Sequence, residues 1–400
     1  MNPAPEQTAT QAPELELEEL LSENPAEAAR RADSRFSLDE RDALALYGAG
    51  HLGRQVLSRL RSLGLEPLAF ADDTPAKQGT RIEGVPVVSP REFSDRFGPQ
   101  AVFVVTIFNP AASFLRIKRK LQASADARVV SFLELAWKYH ETFLPHYQFQ
   151  LPQEVLENAS AIQRAFGLFA DEESRRQFVA HLRFRLHLDF AALPASNLGD
   201  YFPADVVPEL PPDTTFVDCG AFDGDTVRRF IERQRGRFRE IYAFEPDAEN
   251  FRRLAEYAAT LAAKAPDRIH LFRAAAGARR ARMRFDASAG MASALNDAGV
   301  EEVEVLPVQD VVIARGAGAL FFKFDVEGAE AAALDGAVDL INSARSIVAV
   351  CVYHRPDDLW GLPLKLRAVA PAHELFLRTQ GEDGMDVVCY AVPPDASVAG

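Results

Sequence analysis

The run from Val217 to Thr226, VDCGAFDGDT, joins an apolar strand-like segment to a helix-like one and holds the residues best suited to ligand chemistry. Gly220 permits a tight turn, and Gly224 lets backbone approach a ligand closely. A helix starting near Asp225 directs N–H groups that have no partner within the helix into the turn. Glu245 ends the next strand-like segment, YAFEP, 21 residues after Gly224. A carboxylate there can take both hydroxyls of a ribose. The spacing is D-x-G-x-x-x-G, not the G-x-G-x-x-G of a dinucleotide turn, and Asp218, Asp223 and Asp225 line it. At close range these acids repel a pyrophosphate and attract a cation. A ligand with an ammonium, a sulfonium and a ribose matches the set, which points to S-adenosyl-L-methionine. Its expected contacts are Asp218, Gly220, Ala221, Phe222, Asp223, Gly224, Asp225, Thr226 and Glu245.

Two further strand-like segments end in polar groups. FFKFDVEG delivers Lys323, Asp325 and Glu327, and AVCVYHRPDD delivers His354. Methyl transfer to an alcohol is a one-step displacement that gains from alignment of the reacting atoms and from a base that takes the hydroxyl proton. His354 is the first candidate base, because imidazole titrates nearest neutrality. Asp325 is the second, as base or as the group that orients His354. Glu327 and Lys323 complete the candidate catalytic set. No metal is assigned, although Asp325 with Asp357 or His354 has the residue types to hold a divalent ion.

In their order and spacing, FVDCGAFDGDT, YAFEPD, FFKFDVEGAE and VYHRPDDLW resemble the FkbM family of S-adenosylmethionine-dependent methyltransferases. The resemblance runs from about Ala165 to Pro393. It implies a class I methyltransferase fold and methylation of a hydroxyl oxygen, with acceptors among natural products and surface or exported sugars. Carried over residue by residue, it implies a cofactor set of Asp218, Gly220, Asp223, Gly224 and Glu245.

A second glycine turn lies near the N-terminus. YGAGHLGR supplies Gly48, Gly50 and Gly53 as G-x-G-x-x-G, and Asp72 and Asp73 end the next strand-like segment. No acid lines this turn and Arg54 is basic, so phosphate is acceptable there. The run DDTPAKQGTRIEGVPVVSP resembles the nucleotide-binding N-terminal domain of sugar-modifying acyltransferases. That resemblance implies a nucleotide or nucleotide-sugar at Gly48, Gly50, Gly53, Asp72 and Asp73.

Two series of alternating strands and helices position these groups, and such alternation predicts parallel sheets. In residues 42–135, DALALYG, EPLAFADD, QAVFVVTI and RVVSF read as strands. The helix HLGRQVLSRLRSLG places Leu52, Val56, Leu60 and Leu63 on one face. Residues 213–393 repeat the rhythm and close on a hairpin of HELFLRT and DVVCYAVP. The expected architecture is α/β: a class I methyltransferase doubly wound sheet at the C-terminal side and a smaller Rossmann-like domain before it. Residues 1–41 read as an acidic flexible tail, 136–212 as a helical bridge on the second domain, and 394–400 as a short tail. SAGMASAL (288–295) reads as a loop near the acceptor, and DYFP (200–203) as a segment closing over the cofactor.

The 400 residues are 48% apolar and 26% charged, which suits packed domains. The formal charge is 44 − 58 = −14, and residues 1–45 carry 11 acids against 4 bases. Such a chain is poorly suited to nucleic acid or to an anionic membrane surface. No apolar run reaches the ~18 residues of a membrane span, and the first twenty residues lack the basic and apolar regions of a secretory signal. Cys219, Cys351 and Cys389 fit no disulfide framework and no metal spacing. The expectation is a cytoplasmic enzyme with a small-molecule or glycan acceptor, no nucleic-acid partner and no membrane insertion, its oligomeric state open. Two other readings remain at this point: a nicotinamide-dependent oxidoreductase using the Gly48 turn, and a non-catalytic nucleotide-binding scaffold.

Overall fold

Both βα series become sheets in the computed structural model, which describes residues 12–124, 126–197, 201–261, 267–286, 294–295, 301–312, 318–343 and 345–394. The chain divides into two units. One comprises Met1–Gln163, Glu172–Ser196 and Gly381–Met385; the other comprises Arg164–Asp171, Asn197–Gln380 and Asp386–Gly400.

In the first unit, six strands lie in the order Arg81–Ile82, Val85–Val88, Ala69–Ala71, Ala43–Tyr47, Ala101–Val105, Arg128–Ser131. All pair in parallel except the first two, which form a hairpin. Ala43–Tyr47 and Ala101–Val105 are buried along their whole length, as continuous apolar runs in a parallel sheet must be. The helix His51–Ser62 buries Val56, Leu57 and Leu60 against this sheet. It stops one residue before Leu63, which is therefore exposed instead of completing the expected face; Gly64 follows with φ +75°.

The helices Pro13–Leu21 and Pro25–Ser34 correct the reading of residues 1–41 as a flexible tail. Leu17, Leu20, Ala28 and Ala32 recur at helical spacing and are buried, as is Phe36. The Asn24 side chain caps the second helix, and Arg183 and Arg175 pair with Glu16 and Glu14 of the first. A strongly acidic composition concealed a narrow apolar stripe. The bridge is also reassigned: most of 136–212, including the helix Glu172–His187, belongs to the first unit. Phe184 and Leu188 join the same apolar cluster as Leu44 and Val104.

In the second unit, seven strands lie in the order Glu374–Thr379, Val387–Val392, Ser346–Cys351, Leu320–Phe324, Thr215–Cys219, Ile241–Phe244, Ile269–Phe272. The last five run parallel to one another, and Val387–Val392 is antiparallel both to Ser346–Cys351 and to Glu374–Thr379. This is the doubly wound order of the class I methyltransferase fold, closed by the expected hairpin. A smaller sheet of Ala274–Ala276, Glu301–Leu306, Ala281–Asp286 and Ala294–Leu295 was not foreseen in full. Its strand EEVEVL alternates acids with Val303 and Val305, which are buried. Residues 288–293 of the expected acceptor loop and Asp200 of the expected closing segment lie outside the described residues. Among the described residues, no helix is long and apolar enough to cross a membrane.

Candidate active site

The first parallel strand of the second unit ends at Cys219, and the helix Asp225–Arg233 begins six residues later. Gly220, at φ +85°, has the Asp325 carbonyl oxygen where a Cβ would stand. The turn therefore meets the end of Leu320–Phe324 backbone to backbone. The N–H groups of Gly220 and Ala221 both donate to the Phe244 carbonyl at 3.0 Å. Phe222, also at positive φ, donates its N–H to Glu245 Oε2 at 2.8 Å, and Asp247 N–H donates to Glu245 Oε1 at 2.9 Å. Each Glu245 oxygen keeps a further lone pair, which leaves the carboxylate able to accept from a diol. Burial, opposed by those two N–H donors, pushes its pKa up to about 7.

Asp223 has a buried oxygen, Oδ1, with no hydrogen-bond partner. Among the described residues no cation pairs with Asp223 or Asp225, and the Thr226 hydroxyl reaches Asp225 at 3.4 Å. An orphaned carboxylate oxygen, unpaired acids and a diol acceptor beside a left-handed Gly224 fit a cationic ribonucleoside donor.

Lys323 faces Asp218 in register across the sheet. Its Nζ lies 3.2 Å from Asp218 Oδ1 and 3.6 Å from Asp325 Oδ2, and donates to the Gly220 carbonyl at 2.6 Å. Asp218, expected to line the ligand, is 0% exposed; it braces the turn through Lys323 instead. Burial pushes Asp218 up to about 7 against the pull of Lys323. Burial also opposes charge on Lys323, but Asp218 and Asp325 hold its pKa well above the ordinary value. Lys323 is thus a clamp between the turn and the strand end, not a group open to an acceptor.

The ladder continues one residue beyond Phe324, with Asp325 N–H donating to Cys219 O at 3.0 Å. Asp325 therefore shares the face of Lys323, as the two-residue spacing predicts. Its Oδ2 accepts from Tyr201 Oη at 2.9 Å, and its Oδ1 lies 3.3 Å from His354 Nε2. Glu327 Oε2 lies 3.7 Å from the same nitrogen, and Glu330 Oε1 is 2.8 Å from Nδ1. Glu330 also accepts from the N–H groups of Val326 and Gly328.

Burial alone would lower the pKa of His354, but Glu330, Glu327 and Asp325 outweigh it and hold it up at about 10. The ring is an imidazolium at neutral pH, with no lone pair to accept a proton. The first candidate base is thus enclosed by carboxylates that favour its charged form. Burial would raise Asp325, yet Lys323 and His354 hold it below the usual carboxylate range. Asp325, Glu330 and His354 place one ligand atom each within 4.8 Å of one another. Tyr201 and Glu330 were not assigned roles from the sequence, although both stand inside runs already singled out, DYFP and DVEGAE.

In the first unit, Gly48 takes φ +114°, and a Cβ on Gly53 would run into the Gly48 carbonyl. Asp72 Oδ2 accepts from Ala49 N–H at 2.9 Å and from Lys77 Nζ at 2.9 Å. Asp73 accepts from Tyr47 Oη and pairs with Lys120. Gly50 has open space where a side chain would be. The glycines and acids singled out in the sequence do converge, and each acid has a cation of the chain beside it.

Comparison with known proteins places these geometries. Residues 218–380 match the family described as methyltransferase FkbM domain. A crystal structure of methyltransferase FkbM from Methylobacillus flagellatus KT superposes with a TM-score of 0.75 at 21% identity, covering 95% of this chain and 100% of that one. An rRNA methylase from Streptococcus thermophilus matches at a TM-score of 0.30 and 10% identity, over 46% of this chain and 89% of its own. A SAM-dependent methyltransferase from Aquifex aeolicus matches at 0.27 and 9%, over 48% and 92%. The last two are too distant to bear on the site, and the first speaks for the fold. No curated protein matches the chain. The glycine turn and the strand ends that follow it fall in the matched region: residues 218–380 match a methyltransferase FkbM domain, and the chain that carries them is a methyltransferase.

Proposed function

We propose that the chain is an S-adenosylmethionine-dependent O-methyltransferase whose acceptor is a hydroxyl of a sugar, glycan or related small metabolite. The observation that carries the donor is the pairing of an anchored Glu245 with Asp223 and Asp225, which form no ion pair among the described residues. S-adenosylmethionine supplies an electrophilic methyl carbon on a sulfonium. Glu245 accepts the ribose hydroxyls with its remaining lone pairs, and Asp223 and Asp225 face the cationic end. Gly220, Ala221, Phe222, Gly224 and Thr226 shape the turn, with Asp218 behind it.

An alcohol acceptor needs its oxygen held in line and a group to take its proton, worth roughly 10²–10⁴-fold. Asp325 and Glu327 are the partly open carboxylates of the cluster, and His354 is the cation that orients them. Lys323 holds the whole to the donor turn. In the first unit a nucleotide or nucleotide-sugar would meet Gly48, Gly50 and Gly53 with Asp72 and Asp73. Asp72 is itself engaged by the N–H groups of Ala49 and Thr74 and by Lys77, so it would shape the turn rather than hold the ligand. We place the enzyme in the cytoplasm, acting on a small molecule and not on nucleic acid.

Calorimetry with S-adenosylmethionine tests the donor, and the absence of binding rejects this reading. Mass spectrometry of sugars, glycans and nucleotide-sugars incubated with labelled donor identifies the acceptor; label on nitrogen or carbon would replace the hydroxyl.

A further inference from the structure

We propose that Glu327, rather than His354, takes the proton from the acceptor hydroxyl as the methyl group is transferred, an inference that rests on the O-methyl reading above. The backbone singles this residue out. Glu327 sits at φ +52°, followed by Gly328 at φ +93°. Two successive left-handed residues are costly for a side chain such as Glu and persist only where the surroundings impose them. Here the surroundings are Glu330, whose Oε1 accepts from the N–H groups on both sides, Val326 and Gly328. Gly328 is held in turn against Arg355, whose Nε would stand 2.8 Å from a Cβ there.

The Glu327 carboxylate accepts the fewest hydrogen bonds of its cluster. Asp325 accepts from Tyr201, Glu330 from two backbone N–H groups, and Asp358 from Arg355 N–H. Among the described residues Glu327 accepts no hydrogen bond, and its side chain is 22% exposed where that of His354 is 2% exposed. Asp325 and Glu327, with side chains 23% and 22% exposed, are open to an acceptor hydroxyl, and the imidazole ring is not.

The groups facing Glu327 set its readiness. They are His354 beyond the strand Ser346–Cys351, Asp325 and Glu330 on either side of its own turn, and Asp386 before Val387–Val392. Burial, joined by Asp325, Glu330 and Asp386 and opposed by His354, pushes its pKa up to about 8. A base in that range is matched to work near neutral pH. In the step, the acceptor O–H proton passes to Glu327 Oε2. The freed oxygen pair forms the carbon–oxygen bond, and the pair of the breaking carbon–sulfur bond stays on sulfur. His354 remains protonated throughout and positions the carboxylate.

The test uses the full chain with Glu327→Gln and Glu327→Asp. Methyl transfer from labelled S-adenosylmethionine is followed on methyl glycosides of glucose, mannose, galactose and rhamnose and on UDP-glucose. Glu327→Gln should lower kcat by roughly 10²–10⁴-fold while donor affinity stays within about twofold, and Glu327→Asp should recover part of it. The wild-type kcat should rise with pH through about 8, as the carboxylate form appears, and this limb should vanish in Glu327→Gln. A readout without donor or acceptor is pH-difference infrared spectroscopy: a carboxyl band titrating near 8 in the wild type should be missing from the Gln variant. Turnover within threefold of wild type with the same pH limb overturns the assignment of Glu327 and leaves the methyltransferase reading intact. No hydroxyl methylated anywhere in the panel removes the O-methyl reading and this proposal with it.

Discussion

The two glycine turns of this chain share a backbone plan and differ in the fate of their acids. Each follows a buried parallel strand, opens a helix, and uses a glycine whose missing side chain admits neighbouring backbone. At the Gly48 turn every acid is answered from within: Asp72 by Ala49 N–H and Lys77, Asp73 by Tyr47 and Lys120. At the Gly220 turn Asp218 is answered by Lys323, but Asp223 and Asp225 meet no cation among the described residues. A loop of glycines sets how near a ligand can come. On the proposed reading, the unbalanced charge around it selects the ligand.

The contrast can be broken most severely at Lys323. Lys323→Ala leaves Asp218 and Asp325 without their buried cation and should cost about 3–5 kcal/mol of unfolding free energy. Chemical denaturation reads this, and a loss below about 1 kcal/mol would show that the pair does not brace the turn. Glu245→Ala should weaken S-adenosylmethionine roughly 10–100-fold, the value of hydrogen bonds to a charged group. Calorimetry checks it, and unchanged affinity would detach Glu245 from the donor.

Acidity sharpens the same contrast. Burial holds Asp218 and Glu245 up at about 7. Below that pH the folded protein keeps them neutral, so a cationic donor finds less negative charge. Donor affinity should therefore rise between about pH 6 and pH 8, and a flat titration would count against charge selection at this turn. The smallest effect is expected from Asp72→Asn. It should cost about 1 kcal/mol of stability and leave donor affinity untouched, because Asp72 acts within its own turn. A large change in donor affinity would mean that the two turns do not act separately.

Much of the architecture was legible in the residues. Strand runs such as ALALY, FVDC and LFFKF are too apolar to lie anywhere but inside a parallel sheet, and Glu245 stands at a strand end as its spacing predicts. What escaped were features decided by pairing between distant segments. The helices Pro13–Leu21 and Pro25–Ser34 sit in an acidic run whose buried stripe is only one or two residues per turn. The charge state of His354 escaped for the same reason. Its three carboxylates come from Asp325, Glu327 and Glu330, about two dozen residues away, and no local pattern announces that they surround it. Residue type suggested a base; the enclosing carboxylates favour the charged form.

Gly220 and the carbonyl of Asp325 carry one more consequence. On the proposed reading, the first belongs to the donor's seat and the second to the segment that presents carboxylates to the acceptor. Displacement at carbon tolerates little error in the line between incoming and departing atoms. Here the gauge between the two sides of the reaction is a single hydrogen atom, the smallest spacer a polypeptide has. Substituting even a methyl group for it would move the two halves of the chemistry out of mutual aim while every charged residue stayed in place.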